Sequence, residues 1–168
     1  AVPDLRAAVQ LLGRLRAATG DLVTSFEFLP RIAVEFTTQH IPGVTAPLAG
    51  THANYVLCEV STARVDPALR PLLEQGLADA LAQGLVNDAV IAESIAQRQA
   101  LWKLRESVPE AQRHEGASIK HDVSVPVASL PAFLERASAA VRAIVPAGRL
   151  VAYGHVGDGN LHFNLSQP

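Results

Sequence analysis

Two histidines near the carboxyl end of the chain, His155 and His162, are the residues most suited to chemistry. They flank the dipeptide Asp158-Gly159, which is typical of a two-residue β-hairpin turn. A hairpin centred on that dipeptide predicts that His155 lies directly opposite His162, with Cβ atoms about 5 Å apart. Two imidazoles at that separation can reach the same metal ion or the same small ligand, so we expect a reaction site here.

The two faces of the predicted hairpin differ in character because strand side chains alternate between faces. The polar face carries Tyr153, His155, His162 and Asn164. The apolar face carries Ala152, Val156, Leu161, Phe163 and Leu165. We expect the apolar face to pack on a core and the histidine face to bind a ligand.

The elements that must position this hairpin alternate between helices and short strands. We predict helices at 4–18, 30–39, 66–83, 94–114 (interrupted by Pro109) and 130–145, and strands at 22–29, 53–61, 88–93, 118–126 and within the hairpin at 150–166. No glycine-rich phosphate loop follows any strand, which argues against a nucleotide-binding doubly wound sheet. Short elements in this order favour an α+β fold of ferredoxin-like units, with helices packed on an antiparallel sheet.

Composition excludes several classes of protein. The 168 residues are 49% hydrophobic and 18% charged, which is typical of a globular chain forming one large domain or two small repeats. The net charge is −2 and no basic cluster is present, which argues against nucleic acid and anionic membranes as partners. No apolar run approaches the roughly 18 residues of a membrane span.

The single cysteine, Cys58, excludes an internal disulfide and indicates a reducing compartment, so we expect a cytoplasmic protein. Its position in an apolar run favours a buried small hydrophobic residue over a nucleophile. The chain also contains no methionine, begins almost at a helix start and stops directly after a strand. We therefore expect it to be a piece of a longer protein.

Three stretches together resemble one known family. They are Leu101–Glu106, Lys120–Pro126 and Tyr153–Asn164. They are similar to the C-terminal domain of FAD-linked oxidases of the vanillyl-alcohol-oxidase superfamily, in the branch of D-lactate, glycolate and D-2-hydroxyglutarate dehydrogenases. The resemblance implies that residues 1–168 are a fragment of the C-terminal substrate (cap) domain. It also implies that the N-terminal domain holding most of the FAD, and a C-terminal tail with a further metal ligand and a catalytic histidine, are absent.

The resemblance implies roles for seven residues. His155 and His162 are expected to bind a metal ion, namely zinc. Substrate binding is expected at Arg105, Lys120 and Asn164, and contact with the cofactor at Tyr153 and Asn160. No residue of this chain is assigned a certain catalytic role, and we expect the isolated fragment to be inactive. Pro109 occupies a position where the D-2-hydroxyglutarate branch is expected to carry a hydroxyl residue, which favours lactate, glycolate or a similar small acid.

The residues alone leave simpler alternatives open. His155 and His162 form, in the simplest case, a hydrogen-bonding pair on a polar sheet face, because zinc normally needs three protein ligands. Arg105 lies on the apolar arc of its helix, where its partner is either a substrate carboxylate or an internal anion, unless its head reaches water. Lys120 is either a substrate ligand or a charge that guards a strand edge.

Two functions follow from these expectations. The first is the substrate-binding domain of a flavin-dependent dehydrogenase or oxidase that oxidises a small D-2-hydroxy acid by hydride transfer to FAD, with an unspecified electron acceptor. The alternative is a stand-alone ferredoxin-like module that binds a metal or an anion without catalysis. The oligomeric state, a homodimer included, stays open.

Overall fold

A computed structural model describes all 168 residues of the chain. The elements in chain order are α1 (Leu5–Thr19), β1 (Val23–Pro30), α2 (Arg31–His40), β2 (Asn54–Val60), α3 (Leu69–Ala82), α4 (Ile95–Glu106), α5 (Val108–His114), β3 (Ser118–Ile119), β4 (Asp122–Ser124), α6 (Leu130–Ile144), β5 (Arg149–His155) and β6 (Asn160–Ser166). None of the helices is both long and apolar enough to span a lipid bilayer.

The six strands form one antiparallel sheet in the order β2-β1-β5-β6-β3, and β4 also pairs with β6. Strand β5 runs between β1 and β6, so it joins the amino-terminal and carboxyl-terminal halves of the chain. The α+β fold with helices packed on an antiparallel sheet is confirmed.

Helices cover both faces of this sheet. On one face, residues of α1, α3 and α6 pack in a single apolar cluster with Phe26, Phe28 and Leu161. On the other face, residues of α2, α4 and α5 pack with Leu29 and Tyr153. The alternation of strand side chains assigns neighbouring residues to opposite cores. Burial of a phenylalanine such as Phe26 stabilises the fold by roughly 1.5–3 kcal/mol.

Helix α4 is held on the second face of the sheet by polar contacts along one stripe. The Ser94 side chain caps its amino end. Arg98, Trp102 and Arg105 share one side of the helix because their spacing follows the helical repeat. Arg98 and Trp102 donate to the carboxylate of Glu59 on β2, over 2.9–3.0 Å and 2.7 Å. These contacts anchor the first two turns of α4 to β2, whereas Arg105 has its own partner on β1.

The prediction of a buried strand at residues 88–93 is wrong. This segment has no regular structure, and Val90 within it is 55% exposed. The backbone hydrogen bonds at its start go to the first residue of the chain, because Asn87 N–H donates to the Ala1 carbonyl and the Ala1 nitrogen donates to the Asp88 carbonyl. The segment is therefore tied to the amino terminus and not to a neighbouring strand.

Other element predictions were close but differ at their ends. The interruption near Pro109 is confirmed, since α4 ends before Ser107 and Pro109 lies in the first turn of α5, where its missing N–H is harmless. The helix predicted from residue 66 begins at Leu69, because Asp66 first forms a turn with Ala68. The strand predicted at 118–126 is two short strands, β3 and β4, and both pair with β6.

The turn of the closing hairpin is longer than predicted. Residues Val156–Asp158 form a 3₁₀ turn, and Gly159 follows with φ 74°. Val156 is fully buried in the first core, so the chain must dip inward before it reverses. A Cβ atom at Gly159 would lie 2.1 Å from the carbonyl oxygen of Val125, so this position requires glycine.

The longer turn changes the register of the hairpin. Tyr153, and not His155, lies opposite His162, so the predicted pairing of the two histidines is wrong. The register differs by two positions, and strand side chains repeat every two residues. The predicted histidine face is therefore retained, with His155 as a diagonal neighbour of His162.

Candidate functional site

The histidines lie where the helical layer on the second face of the sheet ends. The side chain of His155 is 48% exposed and that of His162 is 29% exposed. Their ring centroids are 6.0 Å apart. Helix α4 brings Arg105 to this boundary, with only 7% of the residue exposed. The histidine face is thus an open surface with one buried cation at its margin.

A buried carboxylate, Glu27 on β1, joins two of the predicted site residues. Arg105 Nε donates to Glu27 Oε2 over 2.7 Å, and His155 Nδ1 is hydrogen-bonded to Glu27 Oε1. Arg105 Nη2 lies 3.5 Å from Nε2 of His155. The internal ion pair considered for Arg105 is therefore formed, and the guanidinium also reaches the histidine face.

The second histidine has an equivalent partner. His162 Nδ1 is hydrogen-bonded to Oδ1 of Asp122, which lies opposite it on β4. A carboxylate that accepts from Nδ1 places the ring proton there and leaves Nε2 with a free lone pair. Metal-binding histidines commonly have this arrangement. His162 can therefore offer Nε2 to a ligand, and His155 can do so where the ligand replaces its 3.5 Å contact with Arg105 Nη2.

Tyr153 forms the floor between these groups. It is 2% exposed, and its ring centroid lies 4.9 Å from that of His162 and 5.1 Å from the guanidinium carbon of Arg105. Burial raises the pKa of the Tyr153 phenol, and Asp122 raises it further against the opposing effect of Arg105. The ring is a neutral wall that supports the cation by a cation–π contact.

Asn164 takes part in an internal hydrogen-bond network. Its Nδ2 donates to Gln112 Oε1 over 3.0 Å, and its Oδ1 accepts from the His121 backbone N–H over 3.3 Å. Gln112 also donates to Ser166 Oγ over 3.3 Å. Asn164 is 3% exposed, and its amide joins β6 to α5 through Nδ2 and to the segment between β3 and β4 through Oδ1.

The remaining two predicted residues lie on the same face outside this group of contacts. Lys120 is exposed between β3 and β4, and the shared register of those strands with β6 places it at the level of Asn164. Asn160 is half-buried opposite Ser124. Neither side chain forms a hydrogen bond to Arg105 or to the histidines.

The donor chemistry of the site suits zinc, but the number of donors is low. His155 and His162 supply two imidazole nitrogens, whereas zinc sites usually use three or four protein ligands. The structure contains no group of three or more His, Cys, Asp or Glu side chains arranged to hold a metal ion. A metal on this face would need a ligand from outside the described residues.

An apolar cavity lies apart from the histidines. It measures about 500 Å³ and lies between α1, β2 and residues 88–95, with Arg105 at its wall. Hydrophobic residues make up 23 of its 30 lining residues, so it is unsuited to a small hydroxy acid. Cys58 also lines it, and burial raises the pKa of this thiol to about 12. Such a thiol does not act as a nucleophile near neutral pH.

The site contains two carboxylates, Glu27 and Asp122, that were not predicted from the sequence. Glu27 is the only charged residue between Val23 and Pro30, and a lone charge inside an apolar strand signals a buried partner. Asp122 alternates with Lys120 along its segment, and this alternation alone does not indicate the pairing of Asp122 with His162. The isolated charge of Glu27 in an apolar strand is the same kind of signal as the cation on an apolar helix arc that identified Arg105.

Comparison with known proteins identifies relatives along the whole chain. The chain is 32% identical over 166 residues to the mitochondrial D-2-hydroxyglutarate dehydrogenase of Arabidopsis thaliana. This alignment covers 99% of this chain and 29% of that protein. It is 35% identical over 168 residues to the D-2-hydroxyglutarate dehydrogenase of Xanthomonas citri pv. viticola, covering 100% of this chain and 34% of that protein. The corresponding protein of Stutzerimonas stutzeri is 37% identical over 149 residues, covering 87% of this chain and 31% of that protein.

The chain therefore spans about a third of the length of these relatives. The model of the family described as "FAD linked oxidases, C-terminal domain" matches residues 1–168. The resemblance seen in the three motifs thus extends over the complete chain, which belongs to the family of FAD-linked oxidase C-terminal domains.

Proposed function

We propose that this chain is the substrate-side domain of a longer flavin-dependent dehydrogenase that oxidises a D-2-hydroxy acid. The observation that carries the proposal is the grouping of Arg105, His155 and His162 at the open margin of one sheet face. A guanidinium recognises a carboxylate, and imidazoles with unprotonated Nε2 atoms recognise a hydroxyl group directly or through a metal ion. A 2-hydroxy acid presents both groups on adjacent carbons.

In this proposal each residue has a distinct task. Arg105 binds the substrate carboxylate through its Nη atoms, because its Nε is occupied by Glu27. Lys120 adds a second positive charge from the same face. His155 and His162 orient the hydroxyl group, with Tyr153 as the wall beneath them. FAD, when bound, accepts the hydride from the substrate's α-carbon, and no residue described here is assigned as the base.

The proposal includes zinc only as an ion that His155 and His162 would bind together. His155 and His162 would hold it through Nε2, and it would lower the pKa of the substrate hydroxyl. The carboxylates behind both rings support this role, and a third ligand would come from another part of the protein. FAD likewise would be held mainly by a separate domain, with Tyr153 and Asn160 as the contacts contributed here. The purified 168-residue chain should therefore be colourless.

The substrate is the finer part of the proposal. Several relatives are named as D-2-hydroxyglutarate dehydrogenases, which makes that dicarboxylate the first acid to test. The expectation of lactate or glycolate rests on Pro109. The values of kcat/KM for the three acids in protein from the complete coding sequence decide between them.

The test of the function is dye reduction by that protein with each acid. We expect reduction by at least one of them, and Arg105→Lys should raise KM, because a single ammonium cannot pair with Glu27 and also bind the substrate bidentately. Absence of FAD and of any acid-dependent reduction would leave the stand-alone binding module as the better description. The internal pairing of Arg105 with Glu27 is the observation that favours this second candidate.

The cellular setting is also a proposal. The lone Cys58 supports a reducing compartment such as the cytoplasm. The electron acceptor and a homodimer need direct measurement, by activity with candidate acceptors and by light scattering of the complete protein.

A further inference from the structure

We propose that Glu27 is the positioning residue of this site: its carboxylate fixes the ring tautomer of His155 and the orientation of the Arg105 guanidinium at the same time. The inference rests on the proposed function for its role in the reaction, but its structural part can be tested separately.

Three elements converge on the Glu27 carboxylate. Glu27 lies directly opposite His155 in the pairing of β1 with β5, and α4 brings Arg105 from the helical layer above. Phe26 and Phe28, its neighbours on β1, are buried in the opposite core. Their packing keeps the Glu27 side chain on the histidine face, because adjacent strand residues point to opposite sides.

Both oxygens of the Glu27 carboxylate already have a hydrogen-bond partner. Glu27 is 2% exposed, and its two oxygens are divided between Arg105 Nε and His155 Nδ1. A buried carboxylate is stable only while its oxygens are paired with donors. The same division leaves Arg105 Nη2 facing Nε2 of His155 at 3.5 Å. One carboxylate thus sets the spacing of two groups that come from different elements.

Substitution of this carboxylate by an amide has a predictable chemical result. A glutamine at position 27 has one acceptor oxygen and one donor NH₂ group. Arg105 has only donors, so the amide oxygen must face Arg105 and the NH₂ group must face His155. His155 must then accept at Nδ1 and carry its proton on Nε2, so Nε2 can no longer accept from Arg105 Nη2. In that tautomer Nε2 can neither bind a metal nor accept a hydrogen bond.

Nitrogen NMR of the histidine rings tests this step without reference to activity. We expect His155 to carry its proton on Nδ1 in the wild-type chain and on Nε2 in Glu27→Gln, measured at about pH 8, where a typical histidine is neutral. The His155 signals are assigned from their loss in His155→Gln. Glu59→Gln is the matched control, because Glu59 pairs with Arg98 and Trp102 and has no histidine partner.

Glu27→Asp keeps the proposal testable where the amide variant fails to fold. It retains two acceptor oxygens, so His155 should remain protonated on Nδ1. An unchanged His155 tautomer in folded Glu27→Gln would overturn the proposal, and so would an Nε2-protonated ring in the wild-type chain.

Kinetics of the complete protein then separate the two proposals. Glu27→Gln should reduce kcat/KM for the hydroxy acid by about tenfold or more, as expected when the partner of a ligand histidine is removed. Glu59→Gln should leave it within about twofold. If the wild-type protein oxidises no 2-hydroxy acid but the tautomer changes as expected, the positioning role stands and the proposed function fails. If the tautomer changes and kcat/KM does not, the role of Glu27 in the reaction is overturned.

Discussion

The Arg105 guanidinium and the Glu27 carboxylate form a buried ion pair, with Nε 2.7 Å from Oε2 and side-chain exposures of 8% and 2%. Removing two charges from water is unfavourable, and their attraction compensates only when the geometry is good. The pair is therefore better understood as a device that places Arg105 beside His155 than as a source of stability. This interpretation can be separated from a stabilising role by mutation.

Arg105→Leu should destabilise the chain by about 3–5 kcal/mol, because it leaves the buried Glu27 carboxylate without its cation. The double variant Glu27→Leu/Arg105→Leu should recover most of that loss, since a buried pair can be replaced by apolar residues of similar volume. Urea denaturation followed by circular dichroism measures both values. A double variant no more stable than Arg105→Leu would show that the pair itself stabilises the fold.

Arg98→Leu provides the matched control on the same helix. Arg98 is 57% exposed and pairs with Glu59, so its removal should change the free energy of unfolding by no more than about 1 kcal/mol. A loss as large as that of Arg105→Leu would indicate that any cation on this stripe of α4 is essential for docking the helix.

Zinc should bind this chain weakly and through the two site histidines. We expect a small titration signal in calorimetry with the wild-type chain, because only His155 and His162 are present as ligands. The signal should disappear in His155→Ala/His162→Ala and should decrease at acidic pH, where protons compete for the rings. His114→Ala, on an exposed histidine of α5, should titrate like the wild type. Equal titration of the double variant and the wild type would remove these histidines as ligands.

The hairpin illustrates which features were predictable. The alternation of polar and apolar residues was enough to place His155 and His162 on one face, since that depends only on the strand repeat. Their register was not predictable from Asp158-Gly159, because the 3₁₀ turn arises from the burial of Val156 in a core built by distant elements. Local turn preferences contain no information on that core.

The candidate site also combines features that the sequence predicts with features that it does not. Arg105 could be identified because a cation on an apolar helix arc requires a partner. The identity of the partner could not, because Glu27 is 78 positions away in the chain and His155 lies 128 positions from Glu27. Only the antiparallel pairing of β1 with β5 brings the carboxylate and the imidazole together.

A second charged cluster should make stability depend on acidic pH. Glu115, after α5, accepts from Arg149 on β5 and pairs with His40 at the end of α2, over 2.5 Å in the second case. The hydrogen bond from Arg149, and then that from His40, holds the pKa of Glu115 below its usual value of 4.5. A carboxyl group with a lowered pKa in the fold contributes stability above its unfolded pKa and loses it as pH falls through the folded value.

Glu115→Gln should therefore be less stable than the wild type at neutral pH, and the difference should shrink as pH falls below about 4.5. Thermal melts across this pH range provide the measurement. Glu110→Gln, on an exposed residue of α5 without an ion pair, should follow the wild-type curve. A constant difference between Glu115→Gln and the wild type at all pH values would contradict this assignment.

Two glycines of the chain should respond in opposite directions to alanine. Gly159→Ala should be destabilising by more than about 1 kcal/mol, because φ is 74° and the added Cβ atom would meet the Val125 carbonyl oxygen at 2.1 Å. Gly13→Ala should be stabilising by up to about 1 kcal/mol, because Gly13 lies within α1 with no atom within 4 Å of the new Cβ. Urea denaturation measures both. Stabilisation by both substitutions would leave only the lower conformational entropy of the unfolded chain and contradict the requirement for glycine at position 159. Opposite signs would establish that the turn after Val156–Asp158 depends on glycine for its shape.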